Sequence, residues 1–192
     1  MTMLTQWQQQ FPDCEPLGHQ LRAAFPDRWV RFHSLPESKR YPDNEAEYAE
    51  VLRRHNTILG ALVESRPKVV LLTTGNSETP EPVRDKPELW KLDPEARPWR
   101  SIPMHEVEHD YDNPSFWHIY SSVWDWRPGL LDPIVRIVAD DIVRNVLVVS
   151  EDCRWVLHPY DGGMDVIAET PAAMHRLKSS HRDWLSGRAD GL

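Results

Sequence analysis

Residues 146–168 leave the chain little choice of fold: three short runs, VLVVS, RWVLHPY and MDVIA, are separated by a tight turn at ED, followed by Cys153, and by a DGG turn. β-Branched and aromatic residues favour extended backbone, and connections this short join only antiparallel neighbours. The stretch therefore predicts a three-stranded meander, with the DGG glycines supplying positive φ at a hairpin turn. Such a meander needs a further layer to bury its apolar face.

Helical periodicity elsewhere supplies that layer. From Glu45 to about Ser65, Tyr48, Val51, Leu52, Ile58, Leu59, Leu62 and Val63 recur at helical spacing, with Asp43 or Asn44 placed to cap. His55 falls inside this stripe and is expected to be a core or boundary histidine. LLDPIVRIVADDIVRN (130–145) predicts a helix with Asp132 as N-cap and Pro133 in its first turn. Thr170–Pro171 opens a closing helix with Met174, Leu177, His181 and Trp184/Leu185 on one face. Two short helices stopped by Pro12 and Pro26 precede RWVRFHSL, whose alternation sets Trp29, Arg31 and His33 opposite Val30 and Phe32. PKVVLLTTG (67–75) and FWHIYSSVWDW (116–126) read as strands, while residues 76–100, rich in proline and charge, predict a surface excursion with a helical turn near PELWKL. The whole is a single α+β domain over 1–192: a mainly antiparallel sheet with a C-terminal β-meander, packed by several helices.

Residues 105–109 spell HEVEH, the string that in zinc peptidases sets two histidines on one helix face with a glutamate as general base. Pro103, Pro114 and the DYDN tail predict a loop instead, and no H-x-x-G-x-x-H extension offers a third ligand. The reading is therefore no metal and no cofactor, with zinc at His105 and His109 as the alternative, or a looser set drawing on Asp110, Asp112 or His118. The chain has no G-x-S-x-G, P-loop or dinucleotide fingerprint, and neither Cys14 nor Cys153 sits in a motif. A polar loop carrying His33, Ser38, Lys39, Arg40 and Tyr41 joins a strand to the strongest helix, a position where binding groups gather; its cations suit a carboxylate or phosphate.

Two segments, RWVRFHSLPESKRYPDNEAEY…RHNTIL and VLHPYDGGMDVIAETPAAMHRLKSSHRDWL, resemble a family of uncharacterised bacterial proteins known only as a domain of unknown function. Its Y-D-x-G-x-D-V hairpin corresponds here to Tyr160, Asp161, Gly163, Asp165 and Val166, and its W-L helix end to Trp184 and Leu185. The resemblance implies a small cytoplasmic bacterial protein and carries no activity or catalytic residue.

Thirty acidic against 22 basic residues give a net charge of −8, a balance that disfavours nucleic acid and attracts a basic protein. No apolar run reaches the roughly 20 residues of a membrane span, and the N-terminus lacks the pattern of a secretory signal, so the expected compartment is the cytoplasm. Nine tryptophans suit core and interface alike. The expected function is a non-enzymatic protein-binding factor, an immunity- or antitoxin-like protein occluding a basic partner such as a toxin. Glu106, Glu108, Asp110 and Asp112 would meet the partner, with Trp117, Trp124 and Trp126 as anchors. A metal-dependent hydrolase using HEVEH and a nucleic-acid-associated regulator are the alternatives.

Overall fold

The computed structural model describes residues 2–64, 67–107 and 114–188. In chain order the elements are α1 (Met3–Gln10), α2 (Gly18–Ala24), β1 (Trp29–His33), α3 (Glu45–Val63), β2 (Lys68–Ser77), α4 (Pro87–Leu92), β3 (Arg97–Pro103), α5 (Met104–Val107), β4 (Phe116–Asp125), α6 (Asp132–Ala139), β5 (Leu147–Ser150), β6 (Val156–Tyr160), β7 (Gly163–Ile167) and α7 (Pro171–Ser180). Among the described residues seven strands form one sheet in the order β1-β7-β6-β5-β2-β4-β3, antiparallel throughout. The architecture is α+β, with the predicted meander β5-β6-β7 at its heart.

Helices cover both faces. Alternation along β2 sends Val69 and Leu71 into a core shared with α3, α4, α6 and α7, while Val70 and Leu72 enter a second core under α1 and α2. In α3 the Asn44 side chain accepts the Glu47 amide hydrogen, capping the helix as expected. In α7, Thr170 does the same for the Ala173 amide.

His55 is 1% exposed and donates through Nδ1 to the Val51 carbonyl, 2.8 Å away. Burial pulls its pKa down to about 4, below the ordinary 6.5. A histidine held neutral in the fold stabilises it fully above pH 6.5, and that contribution is lost as pH falls through 4. The loss amounts to about 3 kcal/mol at most. Denaturant midpoints measured from pH 7 to pH 4 will decline, and His55→Gln will flatten that decline whatever its own stability at neutral pH.

Four local expectations change. Neither DGG glycine takes positive φ, which among the described glycines occurs at Gly129. Gly163 is needed for another reason: a Cβ there would lie 2.4 Å from the Phe32 carbonyl oxygen of the neighbouring strand. Second, α6 stops at Ala139 rather than running to 145, because Asp141 turns into left-handed backbone (φ 55°) and Asn145 does so again (φ 51°). Leu131, not Asp132, occupies its cap position, and the Asp132 carboxylate accepts from the Asn56 side-chain amide at 2.7 Å instead.

Third, the 76–100 excursion is more ordered than its composition suggests. It contains the end of β2, α4 on the PELWKL turn, and the start of β3, an edge strand that tolerates Pro98 and Pro103 because one side needs no ladder partner. Fourth, the HEVEH segment opens with a helical turn over Met104–Val107, since Pro103 precedes the turn and removes no hydrogen bond from inside it.

Candidate functional site

One end of the sheet gathers the starts of β1, β2 and β6 and the ends of β4, β5 and β7. A cleft of about 990 Å³ opens there, between the C-terminal end of α3, α7 and the β5-β6 hairpin. Each wall follows from local sequence. α3 ends where Glu64 swings to φ 48°, leaving Ala61, Leu62 and Val63 as an apolar ledge. On α7, Ala173, Arg176, Leu177 and Ser180 face the cleft at helical spacing.

The hairpin is rigid. Ser150 Oγ accepts the backbone amides of Arg154 (2.7 Å) and Trp155 (3.2 Å), and Cys153 sits at φ 57°. This turn projects Glu151 and Asp152 at the rim and lays Trp155, 7% exposed, on the floor.

Charge is distributed unevenly around the cleft. Glu64, Asp125, Glu151, Asp152 and Glu169 line it against Lys68, Arg154 and Arg176. Arg154 is already engaged, its guanidinium 2.7 Å from Glu169 and 3.3 Å from Asp152. The lining is thus net acidic over an apolar, tryptophan-bearing base. Its volume of about 990 Å³ lies at the upper end of the range that ligand pockets occupy. At the far rim the His181 ring stacks on Trp184 (4.5 Å between centroids), and burial lowers its pKa.

The residues singled out from the sequence lie elsewhere. Glu106 is exposed on the one-turn α5, its carboxylate 3.9 Å from the His105 ring. His105 Nδ1 contacts the Ser115 backbone at 3.2–3.3 Å, and its ring meets Phe116 edge-on. Glu108, His109, Asp110 and Asp112 lie outside the described residues, so the paired-histidine geometry has no description. Among the described residues no group of three or more His, Cys, Asp or Glu side chains is placed to hold a metal ion.

The three tryptophans do not form one patch. Trp117 packs toward the core beneath α1 and α2, whereas Trp124 and Trp126 pack on the opposite core, Trp124 roughly 23 Å further along β4. His118 is buried between two serines, with Ser77 Oγ and Ser101 Oγ each 2.8 Å from a ring nitrogen. Burial pushes the thiols of Cys14 and Cys153 up to about 11 and about 12, which keeps both protonated and poorly nucleophilic at neutral pH.

The polar loop has found its carboxylates within the chain. Arg40 Nε donates to Asp161 at 2.6 Å and the Tyr41 hydroxyl to the same oxygen at 2.9 Å; Lys39 reaches Asp43 (2.8 Å) and Glu47 (2.6 Å). The His33 carbonyl accepts from Arg54 at 2.8 Å, and Ser38 turns the chain at φ 58°. Together these contacts dock the loop onto the DGG hairpin at the end of the sheet away from the cleft.

Sequence reading missed the cleft because its five carboxylates come from four separate places between Glu64 and Glu169 and form no motif. The ED turn was the one local signal, and it reads equally well as a plain hairpin.

No curated protein and no solved structure matches the chain. A domain family described as Domain of unknown function (DUF3885) matches residues 17–189, taking in the sheet, the cleft and the docked loop. The chain therefore belongs to the DUF3885 family.

Proposed function

We propose that this chain is a non-enzymatic binding protein of the immunity or antitoxin type, and that it receives a basic segment of a partner protein in the cleft. The observation that carries the reading is the cleft itself: about 990 Å³, lined by five carboxylates against three basic side chains, with Trp155 among its lining. Carboxylates at the rim steer a basic partner and select against acidic ones, while a buried aromatic floor supplies contact area at small entropic cost. The net charge of −8 extends that attraction beyond the cleft.

The test uses an arginine- and lysine-rich peptide of about ten residues, long enough to span about 33 Å. Tryptophan fluorescence of the full chain will report saturable binding that weakens steeply with salt. Reversing Asp125 and Glu151 to lysine together will weaken it at least roughly tenfold, because a favourable charge pair becomes a repulsion at two walls. Equal binding of a glutamate-rich peptide, or indifference to the double reversal, overturns the reading. Capture from the native host completes the test: the intact chain will retain a basic protein whose toxicity it relieves on co-expression, and the reversed chain will not.

A further inference from the structure

The segment between β2 and α4 delivers a cation into an unusual setting. Arg84 lies between two aromatic rings, its Cζ 4.8 Å from the Trp90 centroid and 5.0 Å from that of Tyr120, and its Nη2 donates to the Ala96 carbonyl. Below it is Asp93, 3% exposed. Asp93 Oδ2 accepts from Ser122 Oγ at 2.6 Å, and Ser122 is fixed in turn by the Trp124 indole N–H at 2.7 Å. Asp93 Oδ1 is buried and has no partner among the described residues, although Asp93 and Arg84 line the same small cavity of about 10 Å³. A buried carboxylate oxygen without a donor is costly, and a cation is what satisfies it.

Two aromatic faces, a backbone carbonyl and a buried carboxylate constitute a receptor for guanidinium: the rings take its faces and the oxygens its N–H groups. Arg84 fills this receptor only in part, since it forms no ion pair with Asp93 within 4.0 Å among the described contacts. Its backbone is constrained from the side. The Val83 carbonyl approaches Gly75 so closely that a Cβ there would lie 2.3 Å away, and the Asn76 amide donates to Asp85 Oδ1 at 3.0 Å. Residues 78–86 form neither helix nor strand, so few backbone bonds hold this strap. Trp90, 48% exposed, stands at the mouth.

We infer that Trp90, Tyr120, Asp93 and the Ala96 carbonyl form an arginine-recognition cage, with Arg84 as a tethered occupant that an arginine side chain of another polypeptide displaces. The tether sets the selectivity. An intramolecular occupant competes at an effective concentration in the millimolar range, so only an arginine presented with additional contacts outcompetes it. This site shares no lining residue with the cleft, and its failure leaves the cleft reading untouched.

The probe is methylguanidinium, followed by the indole N–H resonance of Trp90 in the full chain. Arg84→Ala empties the cage and will bind the probe saturably, at least roughly tenfold more tightly than the wild type does. Adding Asp93→Asn to Arg84→Ala will abolish the response, and methylammonium will bind more weakly because it cannot stack in plane. Equal affinity in wild type and Arg84→Ala, no saturable shift in a folded Arg84→Ala chain, or insensitivity to Asp93→Asn each overturns the inference. If Arg84→Ala does not fold, the wild type decides alone. Its Arg84 Nε–H resonance, shielded by both rings, will move toward the solvent-exposed value as the probe is raised to about 100 mM, and a stationary resonance overturns the inference.

Discussion

Arg31→Met will lower the stability of the fold by about 4 kcal/mol, the cost of leaving a buried charge without its partner. Arg31 on β1 and Asp165 on β7 face each other across the strand pair, joined by two hydrogen bonds of 2.8 Å and 3.1 Å. Their side chains are 13% and 5% exposed, so solvent screens the pair little. Arg31 also lies over the rings of Tyr160 (5.0 Å) and Trp29 (5.6 Å), so its removal takes packing as well as charge. For a chain of this size the melting temperature will fall by roughly 8–16 °C. The double variant Arg31→Met with Asp165→Leu will recover a large part of that loss, because an apolar pair of similar volume removes the desolvation penalty along with the attraction. A double variant as unstable as the sum of the single ones would show that the pair is not the source of the effect.

The second large effect belongs to Gly163. Gly163→Ala will destabilise the chain by about 3 kcal/mol, at the upper end for overpacking, because the clash is with backbone. The added methyl would meet the Phe32 carbonyl at 2.4 Å and the Tyr160 hydroxyl at 2.7 Å. Relief requires β1 to withdraw from β7, which breaks the pairings His33↔Gly163 and Phe32↔Met164. Its neighbour is the control. A Cβ at Gly162 comes no nearer than 3.4 Å to Arg40 Cγ, a flexible side chain, so Gly162→Ala will shift stability by less than about 1 kcal/mol. Matched urea titrations of the two variants measure the difference directly. Equal midpoints would mean that the turn, rather than the close approach of two strands, sets the need for glycine.

Where periodicity and packing agree, the sequence is easy to read. The α3 stripe, the three meander strands and the alternation of β1 all appear as expected, because each buries one face against a layer that the same chain supplies. Legibility fails where the deciding neighbour is remote. Pro98 and Pro103 argue against a strand until β3 is known to lie at the sheet edge. Asp140–Asp141 reads as more helix until Asp141 turns left-handed. Lys39 and Arg40 look like cations awaiting a ligand, yet their carboxylates are Asp43, Glu47 and Asp161, the last of them 121 residues away along the chain. The cleft lay beyond local reading for the same reason, since its walls meet only after the sheet has formed.

The pairing of the first strand with the last also has a cost in time. Arg31 meets Asp165 only after 134 further residues have been added to the chain. At about 5–20 residues per second, β1 emerges from the ribosome roughly 7–27 s before its neighbour exists. Throughout that interval β1 has no strand beside it, although part of the core that Val30 and Phe32 join, such as Ile58 and Leu59 of α3, has already been made. The nascent chain therefore passes through a stage in which its earliest strand has both edges unpaired. Slower elongation between β1 and β7 lengthens that exposure, which makes yield on overexpression a matter of synthesis rate as well as of final stability.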